Sequence, residues 1–281
     1  MDSEAPQARG VVLAPLHYLL PTGQRPFSYA CEPPPGVPWE SHDYERREMP
    51  IGDGRRRQPL SGIDAEGYTL VDAPTRVDFD DDDEVWTHHY PEAVELALAV
   101  TGARAAFVFD HLLRRRAALA GALDFGRRGG DGRAGANARI HNDYTEASGL
   151  RRLALVLQDD EALARTERFA IVSIWRPLRD VVVDAPLALC DARPILAGEL
   201  VDSEVRYAHR TGEIYHLRHS PRHAWSYFAE MRPAEALVFK QFDSQLSGVA
   251  RFVPHAAFEH PATPAEAPPR ESVELRCLVV Y

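Results

Sequence analysis

A histidine and an aspartate two residues apart, His141 and Asp143, form the spacing in this 281-residue sequence that first indicates metal chemistry. They lie in the segment ARIHNDYT. On a β-strand, residues i and i+2 project from the same face, so an imidazole and a carboxylate could reach one ion. A second imidazole from a distant strand would complete a facial set of two histidines and one carboxylate. Such a set leaves coordination positions open and is typical of non-haem iron(II) centres that activate dioxygen.

Two later segments offer the remaining groups that such a centre needs. In ARFVPHAAF, His255 lies on a predicted strand and is the candidate for the second imidazole, with His260 as the alternative. Arg270 and Ser272 stand two residues apart at the head of the final predicted strand. A guanidinium and a hydroxyl on one strand face can bind a carboxylate through a forked ion pair and a hydrogen bond. This order of motifs resembles the cofactor site of the iron(II)/2-oxoglutarate oxygenases, which predicts Fe(II) and 2-oxoglutarate.

Five further side chains are candidates for contacts with a substrate. Aromatic walls would protect a reactive oxidant from solvent and orient an apolar substrate, and a nearby arginine could pair with a carboxylate. Packing in the core, or an ion pair at a strand end, explains the same residue types. The candidates are Trp175, Arg176, Tyr215, Trp225 and Tyr227.

The elements that must position these residues are mainly strands. After a helical stretch at 148–157, short β-branched and aromatic runs separated by Pro, Asp and Gly predict an antiparallel barrel or jelly roll. Before them, PEAVELALAVTGA and DHLLRRRAALAGAL have apolar residues at helical spacing, which predicts two helices within 91–125, with Pro91 in a first turn and Asp110 as an N-cap. Residues 1–85 are expected to form an N-terminal arm on the core, and 86–281 the catalytic domain, in a single domain overall.

Composition restricts the class of partner. The formal charge of −10 disfavours nucleic acid. The three cysteines form no C-x-x-C pair, and the chain lacks an apolar run long enough for a membrane span, so we expect a cytoplasmic protein without a membrane partner. A small-molecule substrate and dioxygen are the expected partners. No oligomeric state follows from the sequence.

Longer phrases resemble a known family. Over roughly residues 50–281 the chain is similar to the AsaB/CmcJ-type, gibberellin-desaturase-like hydroxylase/desaturase family. The phrases that carry the resemblance include HYPEAVELALAVTGARAAFVFDHLLR, IHNDYT, IWRPL, PLALCDAR and PPRESVELRCLVV.

The resemblance implies a specific set of roles. It implies His141 and Asp143 as metal ligands, His255 as the third, and Arg270 with Ser272 as the anchor of the oxo-acid. It also implies a double-stranded β-helix, a cupin-like jelly roll of the mainly β, α+β class with flanking N-terminal helices. Such enzymes tailor secondary metabolites, by hydroxylation or by desaturation.

Three other functions remain alternatives. A methyltransferase would need a Gly-rich turn between a strand and a helix, whereas the Gly-rich segment 126–136 follows a predicted helix. This segment could instead be a lid. A non-catalytic accessory protein would keep the fold without turnover. A zinc hydrolase could use the same three ligands, but would leave the carboxylate clamp of Arg270 and Ser272 without a purpose.

Overall fold

Two β-sheets form most of the computed structural model, which describes residues 10–115 and 135–281. Sheet A has nine strands and sheet B has five. In spatial order sheet A contains β1 (Val11–Leu19), β3 (Tyr44–Asp53), β11 (Trp225–Tyr227), β8 (Leu187–Cys190), β13 (His255–Ala257), β6 (His141–Asn142), β10 (Thr211–Leu217), β9 (Leu200–Arg206) and β2 (Phe27–Tyr29). Sheet B contains β4 (Tyr68–Asp72), β12 (Glu235–Asp243), β7 (Phe169–Pro177), β14 (Glu271–Val280) and β5 (Ala105–Arg115).

Helices flank the sheets. The helical segments are α1 (Asp82–Glu84), a π-helical turn (Val85–His89), α2 (Tyr90–Thr101), α3 (Glu146–Leu157), α4 (Asp160–Ala164) and 3-10 turns at Gly54–Arg56 and Ala197–Glu199. Helix α2 has a proline in its first turn, as predicted, because proline lacks the N–H that would be unpaired there. It ends at Gly102, whose φ of 69° is left-handed.

Sheet B has an outer face covered by α2 and an inner face turned toward sheet A. On β14, Val273, Leu275 and Cys277 pack in one core cluster with Ala93 and Ala97 of α2. Because side chains alternate along a strand, the residues between them point inward.

The inner faces of the two sheets meet around a second cluster of buried apolar residues. Leu189 of β8 is the register partner of His255, so the two side chains lie on the same face of sheet A. Leu189 packs with Trp175 of β7 and Phe239 of β12. This contact identifies the face of sheet A that looks into the space between the sheets.

The strands predicted after residue 168 are confirmed, although two of them are shorter than expected. The second predicted helix is wrong within the described residues. Asp110 is not a helix N-cap, because 105–115 form β5, which is paired along its length with β14. Cross-strand pairing outweighed the apolar spacing that suggested a helix. The rest of that predicted helix, and residues 126–134 of the predicted lid, lie outside the described residues.

The segment expected to form an N-terminal arm contributes strands to both sheets. β1 and β3 pair over nine positions, from Val11 to Leu19, in sheet A. β4 pairs with β12 in sheet B. These strands are therefore part of the sheets that position the candidate site.

Candidate metal centre

Three side chains predicted as ligands converge between the sheets. His141 and His255 are direct register partners on β6 and β13, with ring centroids 4.4 Å apart. Asp143 follows β6, and its Oδ1 lies 3.6 Å from Nε2 of His141. One ligand atom from each of the three residues lies within 4.8 Å of the others.

Both imidazoles are held in the tautomer that a metal ligand needs. Nδ1 of His141 lies 2.8 Å from the Arg139 carbonyl oxygen, and Nδ1 of His255 lies 3.0 Å from that of Val253. A carbonyl oxygen can only accept a hydrogen bond, so each Nδ1 carries a proton and Nε2 is the nitrogen of each ring that is left to bind a metal. Burial, followed by the neighbouring His255, lowers the pKa of His141 to about 3. The ring is therefore neutral at physiological pH.

Asp143 is held as a charged carboxylate by a neighbour that the sequence did not reveal. Arg276 Nε donates to Asp143 Oδ2 at 2.8 Å, and Gln241 Oε1 accepts from the Asp143 backbone N–H at 2.9 Å. Burial alone would raise the pKa of Asp143, but the charge of Arg276 and its hydrogen bond outweigh burial and hold the pKa well below its usual range. Oδ1 is thus the oxygen on the side of the histidines.

Asn142, between two of these residues, fixes the local backbone. Its amide donates to the carbonyls of Tyr144 and Gln241, each at 2.8 Å, and its oxygen accepts from the Val253 N–H at 3.0 Å. These bonds join β6 to β12 and to the segment that leads into β13. The spacing of the three predicted ligands is therefore set by buried hydrogen bonds.

The predicted carboxylate clamp lies on the inner side of sheet B. Arg270 precedes β14, donates to the Ala185 carbonyl, and lies with its guanidinium carbon 5.7 Å from the centre of the Trp175 ring. Ser272 is fully buried, and its hydroxyl has no hydrogen-bond partner among residues 10–115 and 135–281. A buried hydroxyl without a hydrogen-bond partner is satisfied when a bound ligand supplies that partner.

Arg114 is a second cation beside the clamp. Its register partner on β14 is Ser272, and its charge is one of the causes of the lowered pKa of His141. Sequence reasoning missed it because the segment was taken as a helix. Read as a strand, the sequence would have placed Asp110, Leu112 and Arg114 on one face.

Four of the residues proposed for substrate contact do not face the three predicted ligands. Trp225 is the register partner of Cys190, whereas its neighbour Ser226 pairs with Leu189 on the inner face. Trp225 and Tyr227 therefore pack in the core on the opposite side of sheet A. Tyr215 pairs with Asn142 instead of His141 and lines a separate cavity of about 630 Å³.

Arg176 is the fourth of these residues, and its neighbour Trp175 is the exception. Trp175 points inward beside Arg270, so Arg176, the next residue on β7, points outward toward α2. Arg176 therefore lies on the face of sheet B opposite to the three predicted ligands.

His260, the alternative to His255 as the third ligand, lies away from the His141–Asp143 pair. His260 has its Nε2 3.2 Å from the Tyr227 hydroxyl, on the side of sheet A that faces away from His141. The structure thus brings His255, and not His260, to the His141–Asp143 pair.

Known proteins resemble this chain along most of its length. A family model described as "Oxidoreductase/YMDC permease-like domain" matches residues 16–280. The hydroxylase/desaturase efuI of Hormonema carpetanum is 30% identical over 263 residues, covering 85% of each chain. The alpha-ketoglutarate-dependent dioxygenase phiK of a fungal species is 31% identical over 288 residues, covering 97% of each. A solved structure of a variant of the iron and alpha-ketoglutarate-dependent endoperoxidase NvfI has a TM-score of 0.85 at 25% identity, covering 98% of both chains.

The fold is the double-stranded β-helix, and the enzyme is an iron(II)/2-oxoglutarate-dependent dioxygenase. The chain belongs to the hydroxylase/desaturase family within that class. The predicted fold and cofactors are confirmed, and the methyltransferase alternative is not supported. Within the described ranges, no helix has both the length and the apolar character needed to cross a membrane.

Proposed function

We propose that this dioxygenase hydroxylates or desaturates a small secondary metabolite, with His141, Asp143 and His255 as the iron ligands. The convergence of these three side chains, with Nδ1 of each imidazole against a backbone carbonyl, is the observation that supports the ligand set. Two imidazoles and one carboxylate match the donor set of non-haem iron(II) oxygenases. The printed names of efuI and NvfI, a hydroxylase/desaturase and an endoperoxidase, support an oxidative reaction on a small molecule.

Arg270 and Ser272 are proposed to hold the distal carboxylate of 2-oxoglutarate. The guanidinium supplies the charge, and the buried Ser272 hydroxyl donates the hydrogen bond that it does not make within the described chain. Trp175 lies beside Arg270 and restricts the position of its guanidinium. When bound, iron(II) and 2-oxoglutarate supply the oxidising power, with dioxygen consumed and succinate and carbon dioxide released.

The protein itself positions the reactants and excludes water from the site. Phe239 packs against the His255 ring at 4.8 Å between centroids, and Leu189 closes the same side. An apolar surround of this kind keeps bulk water away from an oxidant and leaves the substrate as the nearest group to react.

Anaerobic titration with iron(II) and 2-oxoglutarate tests the ligand set. We expect the wild type to develop the weak visible charge-transfer band of a chelated oxo-acid. His255→Ala should lose the band, because one of three ligands is removed. His260→Ala is the matched control and should keep it.

Two results would contradict the proposal. A folded wild type without a band would argue against a functional iron centre at these residues. A band that persists in His255→Ala and disappears in His260→Ala would show that the third ligand is assigned wrongly.

A further inference from the structure

A cavity of about 320 Å³ lies on the outer face of sheet B, between α2 and β7, away from the iron site. Arg176 of β7 lines it together with His89 and Glu92. Ile174, which also lines it, packs in the outer core with Ala93 of α2. Sheet B therefore separates this cavity from the space that contains the iron ligands.

Arg176 is an unusual residue for a structural position. Its side chain is only 2% exposed. Nη2 donates to the Ala73 carbonyl at 2.8 Å, but Nε and Nη1 have no hydrogen-bond partner within 10–115 and 135–281. A buried donor without a partner costs about 1–3 kcal/mol, and more when the group is charged. The two N–H groups point to different edges of the planar guanidinium, so an acceptor oxygen of a ligand would supply the missing partner of one of them.

His89 supplies a hydrogen-bond acceptor in the same cavity. It is 1% exposed, and its Nδ1 lies 3.2 Å from Glu92 Oε2. Burial and then the charge of Arg176 lower the pKa of His89 to about 4, so the ring is neutral near pH 7. With its proton on Nδ1, toward Glu92, the ring presents the lone pair of Nε2, which has no partner among the described residues.

The charges around the cavity restrict the ligand further. Asp72, Glu92 and Glu95 are exposed carboxylates on the lining, and Arg176 is the cation among the described lining residues. A dianion would be repelled by them, whereas one carboxylate can pair with Arg176. The volume is near the lower end of the range for small-molecule sites.

We propose that this cavity is a second ligand site, which binds a small monocarboxylate with a hydrogen-bond donor on the adjacent carbon. The carboxylate accepts from an N–H of Arg176 that has no partner among the described residues. The hydroxyl or amino group on the next carbon donates to Nε2 of His89. The ligand is held by β7 and by the π-helical turn that precedes α2, and it does not share a binding residue with the iron site.

Calorimetric titration of the full chain with L-lactate tests this site. The protein is loaded with iron(II) and saturating 2-oxoglutarate without oxygen, so that the oxo-acid site is filled. We expect lactate to bind, propionate (which lacks the hydroxyl) to bind at least fivefold more weakly, and methyl lactate (which lacks the carboxylate) not to bind. Arg176→Met should abolish lactate binding. Arg165→Met, an exposed arginine elsewhere, is the control and should leave it unchanged.

Several results would overturn the proposed second site. No lactate binding to folded wild type overturns the proposal, and so does lactate binding that survives Arg176→Met. Equal affinity for lactate and propionate overturns the role of His89 and with it the ligand class. If Arg176→Met does not fold, Ala99→Trp at the exposed rim of the cavity replaces it. This variant should weaken lactate binding at least tenfold by filling space, and an unchanged affinity overturns the site.

Discussion

The two carboxylate oxygens of Asp143 have different neighbours. Oδ2 accepts from Arg276 at 2.8 Å, and Oδ1 faces His141. Arg276 is itself held by Asp110, whose Oδ2 lies 3.0 Å from Nη1. The carboxylate is thereby fixed in rotation, with one oxygen left for a metal.

Replacing Arg276 should therefore weaken iron binding. Residues that orient a ligand typically contribute 10- to 100-fold in metal affinity. We expect Arg276→Gln to lower iron(II) affinity by at least about tenfold in anaerobic titration, with Arg276→Lys intermediate because it keeps the charge. Arg165→Gln is the surface control. An Arg276→Gln variant with wild-type affinity would show that Asp143 needs no such support.

Ser272 and Ser173 are both fully buried serines on the inner face of sheet B, but their bonding differs. Ser173 donates to Glu274 at 2.7 Å and accepts from Gln241 at 3.0 Å. Ser272 makes no such bond with the described residues. We expect Ser272→Ala to leave the unfolding free energy within about 0.5 kcal/mol of wild type while raising the KM for 2-oxoglutarate about five- to tenfold.

Ser173→Ala is the matched comparison for Ser272→Ala. It should cost about 1–2 kcal/mol of stability, because Glu274 and Gln241 lose a buried partner. Chemical denaturation and steady-state kinetics measure the two effects. An unchanged KM for 2-oxoglutarate in Ser272→Ala would show that this hydroxyl is not part of the carboxylate clamp.

Helix α3 begins three residues after Asp143, so the way it packs on sheet B affects the position of this carboxylate. Thr145 caps the helix in a reciprocal pair with Ser148. Gly149 lies against the Phe242 ring of β12, and an added Cβ would meet that ring at 2.7 Å. Only glycine lets the helix approach this closely.

Gly149→Ala should therefore destabilise the protein even though alanine is the better helix former by about 1 kcal/mol. Overpacking typically costs about 1–3 kcal/mol, so we expect a net loss of about 1 kcal/mol in denaturant unfolding, together with weaker iron binding as α3 shifts Asp143. Leu150→Ala, at the exposed neighbouring position, is the control. A more stable Gly149→Ala variant would show that Phe242 moves aside freely.

The elements differ in how far the sequence could predict them. The His141–Asp143 spacing is a local pattern, and it correctly indicated two side chains that meet. The second half of β5 was mistaken for the start of a helix because the apolar residues of DHLLRRRAALAGAL fit helical spacing, and only the pairing of β5 with β14 decides otherwise. Arg276 and Gln241 reach Asp143 from strands remote in sequence, so no local pattern pointed to them. The orientation of Trp175 was likewise not predictable from a local pattern, because it depends on which face of β7 meets sheet A.

At the scale of the whole molecule, one buried ion network joins distant parts of the chain. Lys240 and Asp243 are fully buried, with Nζ 2.6 Å from Asp243 Oδ2. Nζ also lies 2.6 Å from Asp64, and Arg168 donates to Asp243. Burial would raise the pKa of Asp243, but its bonds to Arg168 and Lys240 outweigh it and lower the pKa.

A carboxyl group whose pKa is lowered by folding stabilises the fold above its unfolded pKa, near 4, and loses that contribution as the pH falls through the folded value. Asp243→Asn should cost about 3 kcal/mol at pH 7, since breaking a buried pair leaves charge uncompensated. It should also flatten the loss of stability below about pH 4. Denaturant unfolding at several pH values measures both. Asp159→Asn, an exposed helix cap, should keep the wild-type acid profile.

The direct pairing of His141 with His255 has a thermodynamic consequence. Each lies on a strand of at most three residues, and the two are register partners. A slip of one residue would turn one imidazole to the other side of the sheet. The unfolded chain cannot present the two rings together, so the proposed iron site is formed only in the native state, and we expect iron(II) to bind that state almost exclusively. By linkage, its binding free energy adds to that of folding. The melting temperature measured without oxygen should then rise steadily with the concentration of free iron(II).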